Sequence, residues 1–145
     1  MTTAPAVVDA SVALKWVLDD ETTVEQATAL RDDGIDGHLQ LVAPSLWLYE
    51  LANGLVSAVR RRRLTRAEGA RSLAGMRALG VELADPEPDL TYGEAMRYGL
   101  SAYDAAYVAL ARALEAPLWT GDRALHAAVA PARAVNVLWI GDYAA

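Results

Sequence analysis

Five short apolar runs punctuate this chain, at 6–9, 40–43, 81–84, 117–120 and 135–139, with longer helix-like segments between them. Most runs are continuous rather than alternating, the pattern of strands covered on both faces. Strands of that kind, separated by helices, imply βαβ units and a parallel sheet. The pattern predicts an α/β fold of three layers, α/β/α, around a central, mainly parallel sheet. Helices are expected near 11–18, 22–33, 45–63, 65–79, 90–98, 101–114 and 122–129. Thr22 with Glu25, Thr65 with Glu68 and Thr91 with Glu94 have capping-box spacing, and Ser101 with Asp104 is a weaker version. Gly34 and Gly80 stand where helices should stop. The segments 45–63 and 65–79, joined by Leu64, should form a helical hairpin. With 145 residues and no repeat or linker, residues 1–145 read as one domain.

Four carboxylates interrupt this apolar pattern. Asp9 closes Ala6-Val7-Val8, Glu50 lies within 46–52, Asp104 within 101–108, and Asp122 follows the run ending in Thr120-Gly121. A buried carboxylate is costly unless something compensates it. If the fold gathers all four, their repulsion calls for a divalent cation, and an all-oxygen set suits Mg²⁺ or Mn²⁺. Asp9 and Asp122 fall at the carboxyl ends of expected parallel strands, where open α/β sheets bind ligands. Both also stand where Asp is a favoured helix N-cap, so capping competes with a site role. Asp104 is either a capping partner of Ser101 or is drawn inward by its Ala-rich helix face.

Glu50, Asn53, Ser57 and Arg60/Arg61 recur at helical period and make one polar stripe on an apolar helix. The stripe is either a solvated face or the border of a cleft, with Glu50 at its floor and Arg60, Arg61, Arg62 and Arg63 at its rim. Ten residues of helix separate floor from rim by about 15 Å. Twelve of the 13 basic residues are Arg, which makes forked contacts to phosphate that Lys cannot. A cationic helix end facing the dipole accounts equally for the same run.

A net charge of −6 argues against a general nucleic-acid coat protein. No apolar stretch reaches membrane-span length, and the N-terminus has no basic signal-like region, so no membrane association is expected. The absence of Cys excludes disulfides and thiolate metal sites and fits a reducing cytoplasm.

Taken in order, Val7-Val8-Asp9-Ala10-Ser11, the Glu50 helix with Asn53 and the basic segment after it, 103–111, and Leu118-Trp119-Thr120-Gly121-Asp122-Arg123-Ala124-Leu125 form a fairly specific series. Over nearly its whole length the chain resembles a PIN-domain ribonuclease, in particular a VapC-type toxin of bacterial toxin–antitoxin pairs. The resemblance implies an acidic pocket of Asp9, Glu50, Asp104 and Asp122, with Ser11 and Thr120 as helpers. It also implies Mg²⁺ or Mn²⁺, endoribonuclease activity on RNA, a homodimer, and a small VapB-like antitoxin that blocks the site. Ser11 would hydrogen-bond ligand oxygens or cap a helix; Thr120 would do the former or simply favour a strand.

Other residues read as structural. His38 belongs to a loop, and His126, four residues after Asp122, is a weak ligand candidate beside an all-acid set. Asp142, after the run 137–141, is a rival fifth acid at the sheet edge that reads better as a terminal turn residue, and Asp19, Asp20 and Glu21 suit the start of a helix. Trp47, Leu48 and Leu51 are candidates for a dimer or antitoxin surface. A competing role is a binding module that pairs with an antitoxin to hold promoter DNA. A phosphohydrolase of another fold would need a second acid two residues after Asp9, where Ser11 stands. Hydrolysis by water activated at a cation does not use the RNA 2′-hydroxyl. Cleavage should therefore leave 5′-phosphate and 3′-hydroxyl ends, and end mapping that finds a 2′,3′-cyclic phosphate would contradict it.

Overall fold

The apolar runs become five strands: β1 (Pro5–Val8), β2 (Gln40–Ala43), β3 (Glu82–Leu83), β4 (Leu118–Thr120) and β5 (Val137–Trp139). The structure is a computed structural model and describes residues 3–144. All neighbouring strands pair in parallel, in the order β3-β2-β1-β4-β5. The helices are α1 (Ala10–Ala13), α2 (Val24–Ile35), α3 (Leu46–Arg60), α4 (Arg66–Ala78), α5 (Pro88–Tyr98), α6 (Ala102–Leu114) and α7 (Arg123–Val129). In β1, Ala6, Val7 and Val8 are buried in succession, as are Leu41, Val42 and Ala43 in β2. Successive strand residues point to opposite faces, so both faces of the sheet are covered, giving the expected three-layer α/β/α architecture.

Several local expectations hold. Thr65 and Glu68 form the full capping box at the start of α4, at 3.1 and 2.9 Å. Gly80, with φ at 81°, follows α4 in the left-handed region. Helices α3 and α4 pack as the expected hairpin.

Others do not. The helix after β1 is one turn, continued by a 3₁₀ turn over Leu14–Trp16, rather than a helix to 18. Thr22 and Glu25 do not box, because Thr23 is the N-cap of α2 and its side chain makes no capping bond. Thr91 and Glu94 lie inside α5, which starts earlier at Pro88, where a fixed φ suits the first helical position. Glu94 is instead buried against Arg112 of α6. Gly34 does not stop α2. It lets the helix approach β2, since a Cβ there would lie 2.7 Å from the Leu41 side chain.

Trp47 and Leu51 are not surface residues. With Leu55 and Ala58 they form the buried stripe of α3, and only Leu48 stays partly exposed. Positions four residues apart share a helix face, so a helix apolar around most of its girth still commits one stripe to the core. That stripe fixes the rotation of α3 and hence the direction of Glu50. Leu51→Ala should lower stability by about 2–5 kcal/mol, read from urea denaturation.

Candidate active site

Strand order reverses at β1: β2 and β3 extend to one side, while β4 and β5 lie on the other. Parallel α/β sheets open a crevice at such a switch point, beyond the carboxyl ends of the two strands. Val8 is registered with Trp119, so the chain leaves β1 through Asp9 and β4 through Gly121 and Asp122 side by side. The Asp9 backbone N–H donates to the Trp119 carbonyl at 3.1 Å, extending the pairing into the site.

Asp9 occupies the N-cap position of α1, yet its side chain makes no capping bond. It turns into the crevice, where one oxygen, Oδ2, accepts from Ser11 Oγ at 2.9 Å and from Thr120 Oγ1 at 2.8 Å. The hydroxyls are held in turn by backbone donors: Gly121 N–H to Ser11 at 2.9 Å, and Asp122 N–H to Thr120 at 3.0 Å. Asp122 caps a helix and also lines the crevice. Its Oδ1 caps α7 by accepting from Ala124 and Leu125, at 2.9 and 3.2 Å, which leaves Oδ2 for the cleft.

Glu50 enters from α3 and is fixed by Tyr107 of α6, whose hydroxyl donates to Oε1 at 2.5 Å. Asp104 sits three residues before Tyr107, in the first turn of α6, where Ser101 accepts its backbone N–H at 3.1 Å. Asp9, Glu50, Asp104 and Asp122 all line one cleft of 620 Å³, together with Ser11 and Asn53. Each carboxylate keeps at least one oxygen outside the bonds described.

The electrostatics follow from this crowding. Burial pushes the Asp9 carboxyl above its ordinary range, against the hydroxyls of Thr120 and Ser11, and the charges of Asp104 and Asp122 add to the rise. Glu50 is raised by burial first, opposed by Tyr107, with Asp9 and Asp104 contributing. Asp104 is raised by burial and then by Asp122. Tyr107 is pushed far above the ordinary phenol value by burial and by the neighbouring charges of Asp9 and Glu50, so it remains a donor.

Such a set suits a hard divalent cation: all oxygen, anionic, and disfavoured as bare charge. Among the described residues, however, no three His, Cys, Asp or Glu side chains already stand as a formed coordination set. The acids share a cleft wall rather than a closed sphere. The donor set fits such an ion by its chemistry: four carboxylates on one cleft, all oxygen, each with an oxygen outside the bonds above.

The remaining candidates lie elsewhere. Arg60 lines a second groove, between α3 and α4. Arg63 is engaged with Asp20 at 2.5 Å and Glu21 at 3.5 Å, so that acidic cluster anchors the end of α3 rather than starting α2. His126 lies edge-on to Trp139, His38 is exposed beside Asp33, and Asp142 closes a 3₁₀ turn. Tyr107 was missed in the sequence. The only hint was its place on the same helix, one turn after Asp104. Lys15 was missed too: it is buried, donates to the Thr22 carbonyl at 2.8 Å, and packs under Gly121, where a Cβ would lie 3.0 Å from its Cε.

Comparison with known proteins identifies the family to which this parallel α/β sheet and its acidic crevice belong. The PIN domain model matches residues 6–131. The VapC ribonuclease Mb0985 of Mycobacterium bovis and ribonuclease VapC9 of Mycobacterium tuberculosis are each 39% identical over 116 residues, covering 80% of this chain and 84% of theirs. The crystal structure of PAE2754 from Pyrobaculum aerophilum superposes with a TM-score of 0.71 at 26% identity, covering 97% of this chain and 92% of that one. The chain belongs to the PIN-domain family and, within it, to the VapC type.

The raised Asp9 carboxyl carries a sign. A carboxyl whose folded value lies above the unfolded one binds protons more tightly when folded, so its ionisation costs stability. That cost is absent below the ordinary value of 3.8, grows as pH rises towards the raised value, and is constant above it. Asp9→Asn should therefore melt higher than the unsubstituted protein at pH 7, with the gap closing as pH falls towards 4. Mg²⁺ should raise the melting point of the unsubstituted protein and leave the variant nearly unmoved. Differential scanning calorimetry across pH reads both.

Proposed function

We propose that this protein is a metal-dependent endoribonuclease and the toxin of a type II toxin–antitoxin system. The observation that carries this reading is the convergence of Asp9, Glu50, Asp104 and Asp122, from four separate elements, on one cleft with free oxygens. Membership of the VapC type and the ribonuclease names of its relatives support it. Residues 1–145 are read as one nuclease domain.

Asp9, Asp104, Asp122 and Glu50 are the proposed ligands for Mg²⁺ or Mn²⁺. Such an ion, when bound, supplies an acidified water and neutralises charge on the phosphate. The chain itself does the positioning. Ser11 and Thr120 hold one Asp9 oxygen and so direct the other into the cleft. Tyr107 does the same for Glu50. Asn53, on the cleft wall, offers an amide to substrate. Arg60, Arg61 and Arg62 at the end of α3 are the proposed phosphate contacts, and Arg63 is secondary because it already holds Asp20.

The proposed partners are an RNA substrate, a VapB-like antitoxin that occupies the acidic site, and a second copy of the chain in a homodimer. Among the described residues no helix is long and apolar enough to cross a membrane, which is compatible with the proposed cytoplasmic site of action.

Cleavage of RNA with Mg²⁺ by Asp9→Asn and Asp104→Asn tests the reading. Both should lose more than the roughly 10–100-fold that removal of an outer-shell partner costs a metal site. Cleavage equal to the unsubstituted protein by both would end the nuclease assignment and leave the binding module.

A further inference from the structure

Two large aromatic rings stand in solvent at the lip of the acidic cleft. Tyr49 of α3 is 80% exposed and Tyr103 of α6 is 68% exposed, and both line the cleft that holds the four acids. Each directly precedes an acid, Glu50 or Asp104. Successive helical residues diverge by about 100°. Each helix thus turns a carboxylate into the cleft and a phenol ring outward along the same wall. Folding gains little from rings left this exposed, and most of the chain's other large apolar side chains near the site are packed away.

We propose that Tyr49 and Tyr103 are substrate-positioning residues on which nucleobases flanking the scissile phosphate stack. The inference rests on the ribonuclease reading of the same cleft. Four carboxylates repel a phosphodiester, and among the residues lining the cleft none is Lys or Arg. Uncharged π faces at the rim hold the nucleotides without placing a cation beside the acids. Stacking tolerates any base, because every base has a π face. It also requires that the flanking bases be unpaired and free to splay from their neighbours. The two rings therefore hold the strand in the cleft without themselves selecting a sequence.

Binding without turnover is read with Asp9→Asn protein and a short single-stranded RNA carrying 2-aminopurine at one position at a time. Fluorescence should quench at positions on either side of the cleaved bond. Adding Tyr49→Ala or Tyr103→Ala should remove quenching on one side and weaken binding about fivefold or more, while Tyr→Phe at either position retains both. In protein with Asp9 intact, the Ala variants should raise KM far more than they lower kcat. Their melting points should match the parent, since both positions are exposed. Ala variants that bind and cleave like their parents, with the unsubstituted protein active, overturn the stacking role alone. So does equal loss with Phe, which would assign the effect to the hydroxyl. So does a change of oligomeric state with quenching intact, which would show that a second copy covers the rings. An unsubstituted protein that neither binds nor cleaves RNA overturns the ribonuclease reading and this inference together.

Discussion

The Asp9 carboxylate is the point around which the rest is arranged. It is only 7% exposed, and two hydroxyls converge on one of its oxygens. Ser11 comes from its own turn and Thr120 from the neighbouring strand, 111 residues away. The two hydroxyls are themselves fixed by backbone N–H groups at Gly121 and Asp122. Pairing of β1 with β4 thus does more than close the sheet: it supplies the donors that make a buried negative charge tolerable at all. Even so, burial outweighs those donors and keeps the carboxyl above its ordinary range.

Around that centre the molecule spends stability for proximity. Three acids raised by burial and mutual repulsion face one cleft, an arrangement that costs the folded chain free energy at neutral pH. It persists because the scaffold under it is rigid. The stripe of Trp47, Leu51, Leu55 and Ala58 locks α3, and 105–111 are buried without a break in α6. Tyr107 then ties the two helices together through Glu50. A charge cluster that the core resists, held by elements the core fixes, is the arrangement on which the proposed cation and phosphate site rests.

Much of the fold and the four acids was legible along the chain. Continuous apolar runs specify strands covered on both faces whatever their partners, and carboxylates beside such runs are conspicuous because burial penalises them. The helix starts were less legible. Pro88 overrode the Thr91–Glu94 spacing, and Glu94 went to Arg112, because a capping box competes with any stronger partner the packing brings near. Gly34 looked like a stop and proved to be a place of close approach. Arg63, a candidate for the phosphate rim, is also paired with Asp20, a partner that only the fold brings to it.

From the sequence by itself came the class of fold, the identity of the four acids and the family resemblance, because each depends on residue type and local spacing. The tertiary structure decided what those residues do to one another. It set Asp9 against Thr120, gave Asp122 a cap for one oxygen and a cleft for the other, recruited Tyr107 to Glu50, and left Tyr49 and Tyr103 outside. These outcomes depend on strand order and helix rotation. Both emerge from how the whole set of apolar stripes packs, and no short stretch of the chain encodes that.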